Sequence, residues 1–144
     1  MAVKNSGKSS EERFEAFWTN QGKAAFMERR VDLAHVRGLN PGIKGIKLPS
    51  QPSDYMITYK GKTAYCEVKS CSNKTSFPFS QIETGQWTAM VRTLAAGGQY
   101  LFFLHNLETD FWYCVPGQFI KETHDGGKHS VKWAAMDEFR CTIP

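Results

Sequence analysis

Apolar residues recur at three- and four-residue spacing in EERFEAFWTNQG. Phe14, Phe17 and Trp18 stand there among charged neighbours, which predicts an amphipathic helix. Ser9 and Ser10 just before it are candidate N-caps, with Glu in the first turn where the helix dipole favours acid. Residues 1–8 are then expected to form a flexible basic arm. KAAFMERRV predicts a strand of about six residues. Residues 37–53, RGLNPGIKGIKLPSQPS, carry three Gly and three Pro and predict a long irregular connection. DYMITYK and TAYCEVKS, parted by a turn around Gly61, predict a β-hairpin. The polar stretch CSNKTSFPFS reads as a loop, and QIETGQWTAMVRTLAAGG as a helix with Ile82, Trp87, Met90, Val91 and Leu94 inward. QYLFFLH and DFWYCVP are short apolar strands, and GQFIKET and WAAMDEF short helical pieces. A helix, three strands, a helix and two strands predict an α/β fold with a mixed central sheet flanked by helices. At 144 residues the chain suits one globular domain, 1–144.

The hairpin brings candidate chemistry into view. Pairing Tyr59 with Lys62 across the turn sets Asp54 opposite Glu67, and opposed carboxylates repel unless a proton or a cation lies between them. Alternation leaves Ala64, Cys66, Val68 and Ser70 on a small, mainly apolar face and Tyr65, Glu67 and Lys69 on the other, expected to be wet. Asp54, Glu67 and Lys69 can therefore converge. Two carboxylates with the Val68 backbone carbonyl make an oxygen set suited to Mg²⁺, and Lys69 could orient a water or stabilise charge on a phosphate. The plainer alternative is a solvated strand with Glu67 and Lys69 on its surface and Asp54 at its start.

Charge and cysteine content narrow the class. Lys and Arg number 18 against 14 Asp and Glu, a formal charge of +4. Lys23, Arg29, Arg30, Arg37, Lys44 and Lys47 cluster against only Glu28 and Asp32, which suits a polyanion such as nucleic acid. Cys66, Cys71, Cys114 and Cys141 have no metal-finger spacing and read as free thiols. No apolar run approaches the ~20 residues of a membrane span and no secretory leader is evident, so a cytoplasmic location, in a bacterium or a phage-infected cell, is expected. His124 and His129 lack the spacing of a helical zinc pair. Phe77 and Phe79 are expected to pack beneath the following helix, and Phe111, Trp112 and Tyr113 to alternate faces in a core strand.

The stretch QPSDYMITYKGKTAYCEVKSCSNKTSFPFSQIETGQWTAM resembles the core of the RecU family of Holliday junction resolvases, within the PD-(D/E)xK nuclease superfamily. It shares a Ser/Thr-Asp-Tyr, a KG-type turn, an acidic-x-Lys strand, an Asn-Lys-Thr-x-Phe-Pro loop and a Gln-bearing helix. The likeness continues through YLFFLH and FWYCVP to the basic GGKHSVKW. The resemblance implies a restriction-endonuclease-like core and a homodimeric, Mg²⁺-dependent endodeoxyribonuclease, with Mn²⁺ as a substitute. Such an enzyme would cut opposed strands of a four-way junction in recombination, repair or phage DNA processing, leaving 5′-phosphates. By position, Asp54 and Glu67 would be metal ligands, Lys69 the catalytic lysine and Glu11 a further catalytic acid, with Glu12 and Glu15 as neighbours that could serve instead. Gln86 and Ser53 would support them. Lys8, Arg29, Arg30, Arg37, Lys44, Lys47 and Lys74 would meet DNA, and recombination proteins stay open as partners. The sequence departs from the family in QPSD, where Ser53 rather than Pro precedes the acid, and in a short region where relatives carry a projecting stalk. Another PD-(D/E)xK endonuclease, restriction-type or debranching, and a non-catalytic DNA-binding accessory protein are the alternative readings.

Overall fold

A computed structural model describes residues 7–30 and 51–144. Helix α1 spans Gly7–Thr19, followed by strand β1 (Ala25–Arg29), the hairpin β2 (Tyr55–Tyr59) and β3 (Lys62–Cys71), and a short β4 (Ser76–Pro78). Helix α2 (Thr84–Ala95), strands β5 (Tyr100–Asn106) and β6 (Phe111–Pro116), helix α3 (Gly117–Asp125), β7 (Ser130–Lys132) and β8 (Arg140–Cys141) complete the described part. Six strands form one sheet in the order β1-β2-β3-β5-β6-β8, while β4 and β7 pair separately. The β3–β5 pair is parallel and the others are antiparallel, because α2 carries the chain across one face between β3 and β5.

Period-two alternation divides the core between the two faces. Phe14 and Trp18 of α1 pack on Tyr55, Ile57, Cys66, Val68, Phe103 and Trp112, whereas Met90, Phe102, Leu104, Tyr113, Trp133 and Met136 fill the α2 face. Trp112 and Tyr113 thus enter opposite cores, while Phe111 stays partly exposed beneath Arg140. Phe77 and Phe79 are buried with the α2 core, which settles them as packing residues. The four cysteines are free thiols.

The β2–β3 register matches expectation, with Tyr59 opposite Lys62 and Tyr55 opposite Cys66. Lys60 and Gly61 both have positive φ, 51° and 77°, the two-residue turn whose twist suits a hairpin. Three expectations need correction. Helix α1 begins at Gly7, so residues 7 and 8 are not part of an arm and Ser9 and Ser10 are not caps; Ser10 instead spends its hydroxyl on a tertiary bond to His105 Nδ1 at 2.8 Å. No acid lies in the first turn of α1. The loop foreseen over 71–80 contains β4, formed because β7, remote in sequence, supplies its ladder partner. Helix α2 is shorter than its apolar pattern: Glu83 caps it in a reciprocal box with Gln86, and Ile82 is buried ahead of the first turn. Among the described residues no helix is long and apolar enough to cross a membrane.

Candidate active site

Three elements meet where β2 begins. The Asp54 backbone is held from both sides: its carbonyl accepts from Arg30 N–H at 2.7 Å, and its own N–H donates to Glu67 Oε1 at 2.8 Å. Ser53, buried just before it, donates its hydroxyl to the Tyr55 carbonyl at 2.6 Å and tightens the turn into β2. Glu67 Oε2 accepts from Gln86 Nε2 at 3.0 Å, while Gln86 Oε1 accepts the Glu83 N–H. The capping box of α2 therefore also orients a carboxylate of β3.

Glu67 is 0 % exposed, which overturns the wet face expected for it. The cause is tertiary: its side of β3 faces α2 and the second core instead of water. Burial first, and the Asp54 carboxylate second, push the Glu67 carboxyl up to about 8, with Lys69 pulling the other way. Lys69 lies two residues on, on the same side of β3, and is half-buried.

Helix α1 separates its three acids. Glu12 points outward. Glu15 accepts from Tyr55 Oη at 3.2 Å and pairs with Arg29 at 3.1 Å. The Glu11 carboxyl is raised by burial first and by Asp54 second, and is lowered by Arg29 and Lys69, so it lies in the field of the site's own charges. Glu11 also pairs with Arg29, at 3.6 Å.

The cleft beside these groups measures about 220 Å³ and is lined by Gln51, Ser53, Asp54, Glu67, Gly85 and Gln86. A larger cleft of about 440 Å³ on the α1 face, with Trp18, Ile57, Leu101 and Ile143 in its wall, carries no acid and is not the site. Tyr65 N–H donates to Gln99 and Cys71 C=O accepts from Leu107, both on the β5 side, so strand alternation turns the Val68 carbonyl to the β2 side. The last β2 pair is Tyr55 with Cys66, so that carbonyl lies beyond it, toward Asp54.

One contributor carried no sequence signal. Tyr100 donates its hydroxyl to the Pro52 carbonyl at 2.6 Å, tying β5 to the segment that presents Asp54, and burial first, then Glu67 and Asp54, raise its phenol. Of the expected DNA contacts, Arg37, Lys44, Lys47 and the Lys8 side chain lie outside the described residues. Arg29 is paired with Glu11 and Glu15, and Arg30 lies over the Tyr65 ring and near Glu28. Lys74 is exposed.

The RecU family, described as Recombination protein U, matches residues 13–144. The chain belongs to the RecU family. The RecU match starts at Arg13 and so does not reach Glu11. The solved structure of Hjc, a Holliday junction resolvase of Archaeoglobus fulgidus, superposes with a TM-score of 0.52 at 12% identity, covering 92% of this chain and 93% of that one. The RecU-family chain therefore has the fold expected of it, a mixed sheet flanked by helices and shared with Hjc. No curated protein matches it.

Proposed function

We propose that this chain is a Mg²⁺-dependent endodeoxyribonuclease that resolves four-way DNA junctions as a homodimer, with Mn²⁺ able to replace Mg²⁺. One observation carries the reading: Asp54 and Glu67 oppose each other across a hairpin, the second fully buried, with Lys69 and Glu11 in the same field. A buried carboxyl raised by a second carboxylate is a site short of positive charge. Two carboxylates and the Val68 carbonyl are hard oxygen donors, so these residues fit Mg²⁺. When bound, such an ion supplies Lewis-acid polarisation of a phosphodiester and lowers the pKa of water in its shell.

The chain's own groups do the rest. Gln86 Nε2 and the Asp54 N–H each engage one oxygen of Glu67 and so set the plane of its carboxylate. Lys69 presents an ammonium to negative charge developing on phosphate oxygens. Glu11, its carboxyl raised by burial and by Asp54, would hold or accept a proton in the reaction. Attack in line at phosphorus leaves 5′-phosphate and 3′-hydroxyl ends. Lys74, with Lys8, Arg37, Lys44 and Lys47, gives salt-sensitive affinity for converging phosphates. Arg29 and Arg30 contribute only where a phosphate displaces their present partners. One small site cuts one strand, so paired incisions need two copies about a two-fold axis.

The test is incubation with a synthetic four-way junction, a matched duplex and Mg²⁺. The expected result is cutting of opposed strands in the junction alone, abolished in Asp54→Ala and Glu67→Ala with junction binding kept or tightened. Equal cutting of both substrates rejects junction selectivity, and full activity in both variants rejects the assigned site.

A further inference from the structure

Ser10 and His105 form a buried polar pair on the α1 face, each 1% exposed, among residues the reaction does not use. Ser10 Oγ lies 2.8 Å from His105 Nδ1, and His105 Nε2 lies 2.6 Å from Asp110 Oδ1. The order serine, histidine, aspartate suggests a hydrolytic triad, but the serine hydroxyl is sealed from any substrate. Its position in the chain is more informative, because Ser10 immediately precedes Glu11.

We infer that Ser10, His105 and Asp110 are positioning residues that set the rotation of α1 and thereby aim Glu11 at Asp54 and Lys69. The inference rests on the reading of the site given above. Arg13, one turn beyond Ser10, binds Asp110 Oδ1 at 2.6 Å and donates to the carbonyls of Ile143 at 2.9 Å and Pro144 at 3.3 Å. Helix α1 is thus tied through Ser10 to β5 and through Arg13 to the β5–β6 turn and residues 143–144. The Arg13 hydrogen bond holds the Asp110 carboxyl below its usual range, so Asp110 has no proton to give and His105 Nε2 is the donor. Burial holds the imidazole below its usual range, in the neutral form, which leaves Nδ1 to accept the Ser10 O–H. The ring is stacked on Trp112 at 4.3 Å and 7°, so it cannot turn away.

The physical need is directional. Phe14 and Trp18 hold α1 on the sheet through apolar contacts, which tolerate small rotations about the helix axis. Hydrogen bonds from Ser10 and Arg13 do not. A helix free to turn by a fraction of the ~100° between successive residues would change how the Glu11 carboxyl stands relative to Asp54 and Lys69.

The experiment is a double-mutant cycle in the full-length protein, reading kcat and KM on a four-way junction with Mg²⁺. Ser10→Ala is expected to lower kcat roughly 10- to 100-fold with KM unchanged, the scale set by an ångström of misplacement, and to cause no further loss in a Glu11→Ala background. A wild-type kcat for Ser10→Ala, or the same loss again in the Glu11→Ala background, overturns the inference. Wild-type cleavage by Glu11→Ala also overturns the inference, whereas full activity of both Asp54→Ala and Glu67→Ala overturns the site reading itself, a separate result. Should Ser10→Ala fail to fold, Asp110→Ala, whose side chain is 59% exposed, passes through the same cycle with the same two outcomes. Nitrogen NMR of the ring gives a readout independent of cleavage: the Nε2–H tautomer of His105 is expected, and the Nδ1–H tautomer overturns the inference.

Discussion

Replacing Glu67 by Gln separates the charge of this buried group from its hydrogen bonds. Moving the carboxyl from its ordinary 4.5 to about 8 corresponds to a cost of ionisation on the order of 5 kcal/mol. The sign follows from proton counting. Between those values the folded chain keeps a proton that the unfolded chain has released, so stability falls as pH rises through this window. The contribution is complete below about 4.5 and lost above about 8. Glu67→Gln cannot ionise, yet its amide has one acceptor oxygen where Glu67 accepts from both Asp54 N–H and Gln86 Nε2, so it loses about 1–3 kcal/mol at every pH. At alkaline pH the cost of ionising Glu67 exceeds that loss. In divalent-free buffer the wild type should be the more stable at pH 5 and the variant at pH 8. At about 2–4 °C per kcal/mol for a chain of this size, the wild type loses roughly 10–20 °C in Tm relative to the variant across the window. Mg²⁺ at one hundred times its Kd should restore about 2.7 kcal/mol to the wild type at pH 8. Thermal unfolding followed by circular dichroism, at fixed ionic strength, measures both curves. Parallel curves for the two proteins would show instead that Glu67 ionises freely.

Other consequences are simpler to test. Gln86→Ala removes the amide that orients Glu67 and one half of the α2 capping box, so cleavage should fall roughly 10- to 100-fold while helix stability drops about 1 kcal/mol; unchanged cleavage would show that Gln86 only caps. At Gly117 an added Cβ would sit 2.9 Å from the Tyr100 carbonyl oxygen and 3.0 Å from Met90 Cγ, so Gly117→Ala should cost about 1–3 kcal/mol in urea unfolding, and a neutral result would mean that α3 shifts freely. Gly61→Ala should cost about 1 kcal/mol with activity retained, since its φ of 77° is strained for alanine although nothing crowds the site. Lys74→Ala should reduce the slope of log affinity for junction DNA against log salt by about 1, and an unchanged slope removes Lys74 from the interface.

The residues that make this protein recognisable act locally. Alternation along TAYCEVKS and the Lys60–Gly61 turn specify the β2–β3 register from neighbours alone, and that register sets Asp54 against Glu67. The helical spacing of Phe14 and Trp18 likewise specified the face of α1 that meets the sheet. What depended on distant parts of the chain was not legible there. Ser76–Pro78 became a strand because β7 lies beside it, and Ser10 left its expected capping role because His105, far along the chain, offers it a buried acceptor. Sequence arithmetic placed Glu67 on a side of its strand, yet only the packing of that side beneath α2 removed it from water and raised its carboxyl. Glu11, Glu12 and Glu15 were not separable in the sequence for the same reason: periodicity states which residues share a face, whereas the partners they meet, Arg29 for Glu11 and Tyr55 for Glu15, depend on how α1 lies against the sheet.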